Sequence, residues 1–215
     1  MKQVLIYGAG GFAREVAWLI ESCQNNGQAI KAVGFIDDNH EKHGQEINGL
    51  TVLGLEQAKA LFPMASFTVA VGSSSIREKL TKKAIEMGFS EITLIHPRTE
   101  ASRFINYGEG SVICAGSILT TNIILGRGVQ INLNCTVGHD VIMEDFVTLA
   151  PGVCVSGCVH IKKGAYIGTA ASIINGTIDK PLVIGEGAVI GAAACVTRDI
   201  PANVVAVGIP AKPKN

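Results

Sequence analysis

The sequence predicts an α/β unit followed by a stack of short parallel strands, that is, a parallel β-helix. In residues 1–98, short apolar strands alternate with helical patterns, whereas from about residue 99 a large apolar side chain recurs at every sixth position. The composition fits the second architecture, because 25 glycines and only 5% aromatic residues suit tight turns between small, repeated layers. We therefore divide the chain into domains 1–98 and 99–215.

The first domain begins with the strand QVLIYG, which leads through a glycine turn into the helix that starts in GAGGFAREV. The apolar residues of this helix follow the 3.6-residue period: Phe12, Val16, Leu19, Ile20 and Cys23. Gly27 marks its end. The strands AVGFIDD, FTVAVG and EITLIHP then alternate with the helices LEQAKALF and SIREKLTKKAIEMGF, and Ser75 with Glu78 forms a capping box on the latter. This alternation predicts a parallel sheet covered by helices, a small Rossmann-like βαβ domain.

The second domain is written in sixes from Ile105. The third place of each six is large and apolar: Tyr107, Ile113, Leu119, Leu125, Ile131, Val137, Met143, Leu149, Val155, Ile161, Ile167, Ile173, Ile184, Ile190 and Val196. The first place holds only Ser, Ile, Val, Cys, Ala or Leu. A period of six fits neither a helix nor simple strand alternation. It is typical of a β-helix with one short strand per six residues and the third side chain pointing inward.

Three sixes make one triangular coil, so 18 residues raise the chain by one strand spacing of ~4.8 Å. The segment TIDKP, Thr177 to Pro181, interrupts the sixes without shifting their phase. We expect it to loop out at one corner of the prism.

Charge and cysteine usage exclude several classes of function. The 18 basic and 18 acidic residues cancel, and without a Lys/Arg block nucleic acid is not an expected partner. No apolar run approaches the ~20 residues of a membrane span, and the N-terminus is too short for a signal segment. The six cysteines include no CxxC pair, so we interpret them as buried apolar residues and expect no metal site. A cytoplasmic protein is the prediction.

Five stretches, YGAGGFAREV, VGFIDDN, VGSSSIREKL, NLNCTVGHD and VGIPAK, give the sequence a resemblance to one family over nearly its whole length. It resembles the bacterial sugar acyltransferases, which include sialic acid O-acetyltransferases and the N-acetyltransferases of nucleotide-linked 4-amino sugars, as in bacillosamine and perosamine biosynthesis. The resemblance implies a left-handed β-helix, a homotrimer with active sites between neighbouring prisms, and acetyl-CoA as donor. It is greatest for enzymes acting on UDP- or dTDP-linked 4-amino-4,6-dideoxy sugars.

In the six CTVGHD, Val137 points inward, so His139 and Asp140 are expected at a corner of the coil, facing out. An adjacent carboxylate, either Asp140 or Glu144, can hold the tautomer of an imidazole and raise its basicity. A solvated turn residue is the alternative for His139. Its position matches the catalytic histidine of the family, and the resemblance therefore implies a general base.

Gly157 follows His139 by 18 residues and is expected one coil above it. By resemblance its backbone N–H serves as oxyanion donor, although a corner that needs positive φ explains a glycine equally well. Asn132 matches an asparagine of the family that could orient substrate, or it caps a turn. Where some relatives carry a second histidine this chain has Thr148, and His160 is interpreted as a surface residue.

The segment GAGGFA begins like a dinucleotide fingerprint, but Ala13 takes the place of the third glycine. A glycine turn at a helix N-terminus still offers N–H groups to a phosphate. By resemblance, Gly10, Gly11, Asp37 and Ser73 contact the diphosphate of a nucleotide sugar, and Asp38 ends the same strand as Asp37. NAD binding and a purely structural turn are the alternatives.

The C-terminal segment AVGIPAKPKN is expected to leave the prism, and its motif resembles the CoA-adenine clasp of the family through Gly208, Pro210 and Lys212. Lys212 could equally be a solubilising tail residue. Backbone groups near Gly157, Ala170, Gly176 and Gly191 would then hold the pantetheine arm.

These expectations together describe an enzyme that moves an acetyl group from acetyl-CoA to a nucleotide-linked amino sugar for surface glycans, without a metal. The alternatives are an O-acetyltransferase acting on sialic acid or another sugar, a nucleotide-sugar-binding protein without turnover, and a nicotinamide-binding protein.

Overall fold

The computed structural model describes residues 1–214 and divides the chain into two compact units, Met1–Pro97 and Arg98–Asn215. Asn215, the last residue of the second domain predicted from the sequence, lies outside the described residues. The helices of the first unit are α1 (Gly11–Asn25), α2 (Leu55–Leu61) and α3 (Ser74–Glu86). Its strands are β1 (Lys2–Tyr7), β2 (Ile30–Ile36), β3 (Glu46–Ile47), β4 (Leu50–Leu53), β5 (Ser66–Val69), β6 (Ser90–Glu91) and β7 (Leu94–Ile95).

One sheet of the first unit has the order β3-β4-β2-β1-β5-β6, and all its pairs are parallel except the edge hairpin β3–β4. In this order, β2 lies on one side of β1 and β5 lies on the other. The carboxyl ends of these three strands therefore open a crevice at a topological switch point, where α/β sheets bind ligands.

Three local predictions for this unit need correction. Strands β3 and β4 form an antiparallel hairpin that the alternating pattern did not predict. Helix α3 is capped by Ser73, whose hydroxyl accepts from the N–H of Ile76, and not by Ser75. On α1, Phe12 is only half-buried while Ala13 is fully buried, because the inward face is turned by one residue at the N-terminus.

The second unit consists of very short strands at almost every six residues. They are β8 (Glu100–Ala101), β9 (Ile105–Asn106), β10 (Val112–Ile113), β11 (Ile118–Leu119), β12 (Ile123–Leu125), β13 (Gln130–Ile131), β14 (Thr136–Val137), β15 (Ile142–Met143), β16 (Thr148–Leu149), β17 (Cys154–Val155), β18 (Val159–Ile161), β19 (Tyr166–Ile167), β20 (Ser172–Ile173), β21 (Leu182–Ile184), β22 (Val189–Ile190), β23 (Cys195–Val196), β24 (Val205–Val207) and β25 (Lys212–Pro213).

All of these strands except β25 stack in parallel as the three faces of a prism. One face contains β10, β13, β16, β19, β22 and β24, the second β8, β11, β14, β17, β20 and β23, and the third β9, β12, β15, β18 and β21. Residues 18 apart are paired, as in Thr136 with Cys154. Across residues 177–181 the offset grows by the five inserted residues, as in Ile167 with Ile190, and the order of the faces is kept.

The interior of the prism is filled from two places of every six. All third-place side chains are buried except that of Tyr107, which is half-buried in the first six. The first-place side chains are buried as well, from Ile105 to Ala194. Alternation along each short strand explains this, because places one and three face the same side.

The corners of the prism are made by the sixth place, where most residues have positive φ. Asn122, Asp140 and Cys158 occupy one corner in successive coils, with φ of 55°, 58° and 56°. The inserted loop leaves the coil at this same corner. Gly176 N–H donates to Gly157 O, and Leu182 N–H donates to Cys158 O where the loop returns.

Within residues 1–214, none of the helices has the length and apolar character that a membrane crossing requires.

Replacing Ile167 by Ala is expected to lower the free energy of unfolding by about 2–5 kcal/mol, because Ile167 is a fully buried third-place side chain. The matched control is Ile178→Ala in the inserted loop, where the side chain is 79% exposed and the change should stay within about 0.5 kcal/mol. Denaturant unfolding of both variants provides the measurement. Equal losses would contradict the inward assignment of the third place.

Candidate functional site

An exposed histidine and aspartate form a close pair at one corner of the prism. Nδ1 of His139 lies 2.7 Å from Oδ2 of Asp140, and the two side chains are 61% and 36% exposed. Asp140 adopts φ of 58°, a left-handed conformation that Asp tolerates better than most residues. Nδ2 of Asn122 donates to Oδ1 of Asp140 over 3.2 Å, from the same corner one coil below.

The pair fixes the state of the imidazole. The hydrogen bond from His139, and after it that from Asn122, holds the pKa of Asp140 below its usual range. The carboxyl group is therefore ionised at neutral pH and can only accept hydrogen bonds. In the neutral imidazole of His139, the proton is therefore on Nδ1, facing this acceptor, and the lone pair is on Nε2.

Glu144, the other carboxylate considered for orienting His139, has different partners. Its Oε1 accepts from Nζ of Lys162 over 3.0 Å and lies 2.9 Å from Nε2 of His160, while Oε2 accepts from the N–H of Lys163. Partial burial acts to raise the pKa of Glu144, but these hydrogen bonds outweigh it and lower the pKa. His160, expected as a surface residue, is half-buried and held by this carboxylate.

Gly157 lies directly against the imidazole of His139. A Cβ at this position would be 2.5 Å from both Cε1 and Nε2 of the ring. Its φ is not positive, so the alternative explanation from turn conformation is wrong, and the absence of a side chain provides space for the imidazole.

The backbone N–H of Gly157 has no hydrogen-bond acceptor within residues 1–214. Gly157 occupies the fifth place of its six and is buried against the ring of His139. At two other fifth places a carboxylate accepts the backbone N–H, Asp145 from Arg127 and Glu144 from Lys163. The N–H of Gly157 is thus left available to an oxygen beside the imidazole.

A cysteine completes this corner. Cys158 is buried, its N–H donates to the carbonyl of His139 over 2.8 Å, and its thiol lies with the ligand atoms of His139 and Asp140 within 4.8 Å of one another. The expectation that all six cysteines are buried was wrong for Cys154, which is exposed, and for Cys195, which is half-buried. Asn122 and Cys158 were missed in the sequence, although each stands 18 residues from Asp140.

Asn132 uses its side chain to brace a turn. Its Nδ2 donates to the carbonyl of Leu149 over 2.7 Å, and its own N–H donates to the same oxygen. This contact ties the side chain to strand β16 of the next coil, and the role of Asn132 in orienting substrate stays a prediction.

The first unit has its own site at the carboxyl ends of β1, β2 and β5. Gly10 caps α1 and Gly11 is its first residue, and both are exposed. Gly8 has φ of 114°, and a Cβ on it would lie 2.9 Å from the carbonyl oxygen of Ala70. The turn before the helix therefore needs a glycine at this position and leaves the following N–H groups open to a ligand.

Asp37 and Asp38 lie side by side in two adjoining clefts of about 490 and 200 Å³. Asp37 accepts from the N–H of Asn39 and from Lys42, and Asp38 accepts from the hydroxyl of Tyr7 over 2.7 Å and from Lys83 over 2.8 Å. Partial burial acts to raise the pKa of Asp38, but the bonds from Lys83 and Tyr7 lower it. The carboxylate of Asp38 is therefore charged at neutral pH.

Ser73 lies at the N-terminus of α3, where its hydroxyl serves as the helix cap. The loop before it is braced by Arg77, a buried side chain whose Nη1 donates to the carbonyls of Val71 and Gly72. Burial lowers the pKa of Arg77 to about 10, which leaves the guanidinium charged at neutral pH. Nothing in the local sequence distinguishes Arg77 from a surface arginine of α3.

The C-terminal segment does not leave the prism as expected. Strand β25 turns back and pairs antiparallel with β24, which places Lys212 opposite Val207. Gly208 has φ of 98° at this reversal, and Pro210 and Lys212 are exposed.

The N–H groups expected near the pantetheine arm are already used within the coils. Ala170 donates to Pro151, Gly176 to Gly157 and Gly191 to Ala206. The carbonyl oxygen of Gly191 also accepts, from the N–H of Ala194, and that of Gly176 accepts from Nδ2 of Asn175.

Comparisons with known proteins show similarity over nearly the whole chain. The family model of the PglD N-terminal domain matches residues 3–84. The GDP-perosamine N-acetyltransferase of Escherichia coli O157:H7 is 34% identical over 96% of this chain and 94% of its own length. Among solved structures, WeeI from Acinetobacter baumannii AYE is 36% identical, with a TM-score of 0.90 over 100% of both chains. PerB from Caulobacter crescentus, in complex with CoA and GDP-perosamine, is 30% identical, with a TM-score of 0.86 over 100% of this chain and 98% of PerB. The expected fold class, a Rossmann-like domain followed by a left-handed β-helix, is confirmed.

The cluster around Glu144 is expected to make stability depend on acid. Since the folded pKa of Glu144 is lowered, its contribution is present above the unfolded pKa of ~4.3 and is lost as pH falls through the folded value. At pH 7, Glu144→Gln should cost about 1 kcal/mol or less, because the group is more than a third exposed.

The measurement is the free energy of unfolding at several pH values. The difference in this free energy between wild type and Glu144→Gln should disappear below about pH 4. The control is Asp179→Asn in the exposed loop, which should show no such difference. A difference that persists unchanged in acid would contradict the assignment.

Proposed function

Because this chain belongs to the family of acetyltransferases that act on nucleotide-linked amino sugars, we propose that it acetylates the 4-amino group of a nucleotide-linked 4-amino-4,6-dideoxy sugar. The chain is an acyltransferase. The observation that supports the chemistry best is the pairing of a tautomer-fixed imidazole, His139, with the unused N–H of Gly157 in the next coil.

The proposed donor is acetyl-CoA, which supplies the acetyl group as a thioester. PerB has been solved with CoA bound, and the site of this chain fits such a donor, because the Gly157 N–H is open to an acyl oxygen. Gly208, Pro210 and Lys212, at the turn into β25, are proposed to hold the nucleotide end of CoA.

In the proposed mechanism, Nε2 of His139 accepts the proton that the attacking sugar amine loses. Asp140 keeps Nδ1 protonated and stabilises the positive charge that the imidazole then acquires. The N–H of Gly157 donates to the oxygen on which negative charge develops, and it needs no reorganisation because the coil already holds it in place.

The nucleotide is proposed to bind in the first unit, residues 1–98, at the crevice beside Gly10, Gly11 and Asp37. The N-terminus of α1 offers N–H groups to the diphosphate, and Asp38 offers acceptor oxygens to ribose or base. The resemblance favoured UDP or dTDP. However, GDP-perosamine appears in the name of the Escherichia coli relative and among the ligands of PerB, so GDP-linked sugars are to be tested first.

A homotrimer in the cytoplasm is the proposed working form. Asp140 and His139 are exposed in the single chain, and a neighbouring prism would supply the walls that exclude water from such a site. All six cysteines are free thiols, the state that a reducing compartment maintains.

An O-acetyltransferase remains the second candidate, because a hydroxyl acceptor needs the same base. The two functions differ in whether the acceptor sugar must carry a nucleotide. The clefts around Asp37 and Asp38 favour an acceptor that carries one.

Replacing His139 by Ala should reduce acetyl transfer by a factor of ~100 or more, because the amine loses its proton acceptor. CoA release from acetyl-CoA is measured with GDP-, UDP- and dTDP-linked 4-amino sugars and with free sialic acid. His160→Ala is the matched control, since His160 contacts Glu144 on another part of the coil, and it should keep full activity. Turnover on sialic acid alone would favour the O-acetyltransferase, and no turnover on any acceptor would favour a binding protein.

Gly157→Ala should lower kcat by roughly 10²-fold or more, because the new Cβ displaces the imidazole and disturbs the oxyanion donor together. Thermal unfolding should change little, since φ of Gly157 is accessible to alanine and His139 can turn into solvent. Gly72→Ala is the control, because a Cβ there meets nothing within 4 Å. Unchanged kcat in the Gly157 variant would contradict its role.

A further inference from the structure

The corner that carries His139 also holds a set of metal ligands. We propose that Zn²⁺ binds His139, Asp140 and Cys158 together and thereby inhibits the enzyme. The imidazole nitrogen, the carboxylate oxygen and the thiol sulfur all lie within 4.8 Å of one another. Nitrogen, oxygen and sulfur donors are the ligands that Zn²⁺ takes in proteins, and three protein ligands leave a fourth position for water.

The coil geometry brings these three ligands together. Cys158 follows Asp140 by 18 residues, so both occupy the same left-handed corner in successive coils. The N–H of Cys158 donates to the carbonyl of His139 over 2.8 Å, which fixes the thiol beside the pair. The register of the prism thus determines the cluster.

The distances require only a small adjustment. With Zn–ligand bonds of ~2.0–2.3 Å, a tetrahedral site holds its donors roughly 3.3–3.6 Å apart. Nδ1 of His139 and Oδ2 of Asp140, now 2.7 Å apart, would therefore separate by less than 1 Å, and donors as far apart as 4.8 Å would approach by about 1 Å. His139 and Asp140 can do so because their side chains are exposed and packed on one side only.

Access and charge also suit a cation. Cys158 is buried, but His139 and Asp140 are open to solvent, so an ion can enter from outside. Asp140 adds a carboxylate, a negatively charged oxygen ligand, to this open side of the cluster. Binding converts the thiol of Cys158 to a thiolate, whose proton goes to solvent, and it requires the imidazole proton to move from Nδ1, the nitrogen beside Asp140, to Nε2. No electron transfer is involved.

Loading the site would remove the feature on which catalysis depends. A bound Zn²⁺ would be coordinated by the imidazole and by the Asp140 carboxylate that orients it. His139 could then no longer accept a proton from the amine. The inhibition rests on the proposed function, whereas the binding itself does not.

Binding is tested first, on the full chain without CoA or thiols in the buffer. Zn²⁺ affinity is measured by competition with a chromophoric chelator, and Co²⁺ is added as a spectroscopic probe of thiolate ligation. We expect a thiolate-to-cobalt charge-transfer band in wild type that disappears in Cys158→Ala. The affinity for Zn²⁺ should fall at least about tenfold in that variant, the lower end of the effect that even an outer-shell partner has on metal affinity.

The matched control is Cys154→Ala, which removes an exposed thiol four residues away and should leave both signals unchanged. Cys158→Ala is expected to fold, because Ala170 and Ala193 already occupy left-handed corners in later coils. His139→Ala removes a second ligand from the exposed side and should also weaken binding. This variant leaves the buried Cys158 unchanged, so weaker binding in it cannot result from a disturbed interior.

Activity provides the second readout. Zn²⁺ should inhibit acetyl transfer by wild type and by Cys154→Ala, and a chelator should restore it, while Cys158→Ala stays active at the same Zn²⁺ concentration. Wild type without a charge-transfer band, or a Cys158 variant that binds Zn²⁺ as tightly as wild type, overturns the proposal. If wild type binds Zn²⁺ but shows no acetyl transfer on any acceptor, the site stands and the proposed function fails.

Discussion

The stacking of residues 18 apart is the constraint on which the second unit depends. Each short strand can satisfy its backbone groups only through the coils above and below it, so the coils hold one another in register. As a result, the first and third places are buried in the interior, and the fourth to sixth places form the corners, where some side chains, such as those of His139 and Asp140, reach solvent. Functional side chains on this scaffold are therefore expected at the corners, where a side chain can face solvent while its backbone is held rigid.

One corner shows how the register builds a site from distant residues. Asn122, Asp140 and Cys158 stand in a column, and each contributes something different: a hydrogen bond, a charge and a thiol. His139 and Gly157 form the neighbouring column. Because the two columns are one residue apart along the chain, the imidazole lies between a carboxylate that orients it and a backbone N–H that faces the same side.

The carboxylates of Asp140 and Glu144 show that the sequence pattern alone does not identify the group that orients His139. From the sequence, Asp140 and Glu144 were equal candidates to orient His139. The turn at Asp140 directs its carboxylate to Nδ1, whereas Glu144 begins the next turn and accepts from Lys162, Lys163 and His160. A similar limit applies to Ser73 and Ser75, two hydroxyls within one turn of α3. Only Ser73 has the extended conformation from which a cap can reach the helix N–H groups.

By itself, the sequence determined the six-residue repeat, which part of the chain forms the α/β unit and which part the β-helix, and the corner where His139 lies. Periodicity carries this information because every coil must bury the same places and turn at the same places. Only the tertiary structure decided which carboxylate serves the imidazole, that Gly157 makes room for the ring, that Arg77 is buried and braces the loop before α3, and that β25 folds back on β24. These depend on distances between residues far apart in the chain and on the direction of single side chains, neither of which leaves a local signal in the sequence.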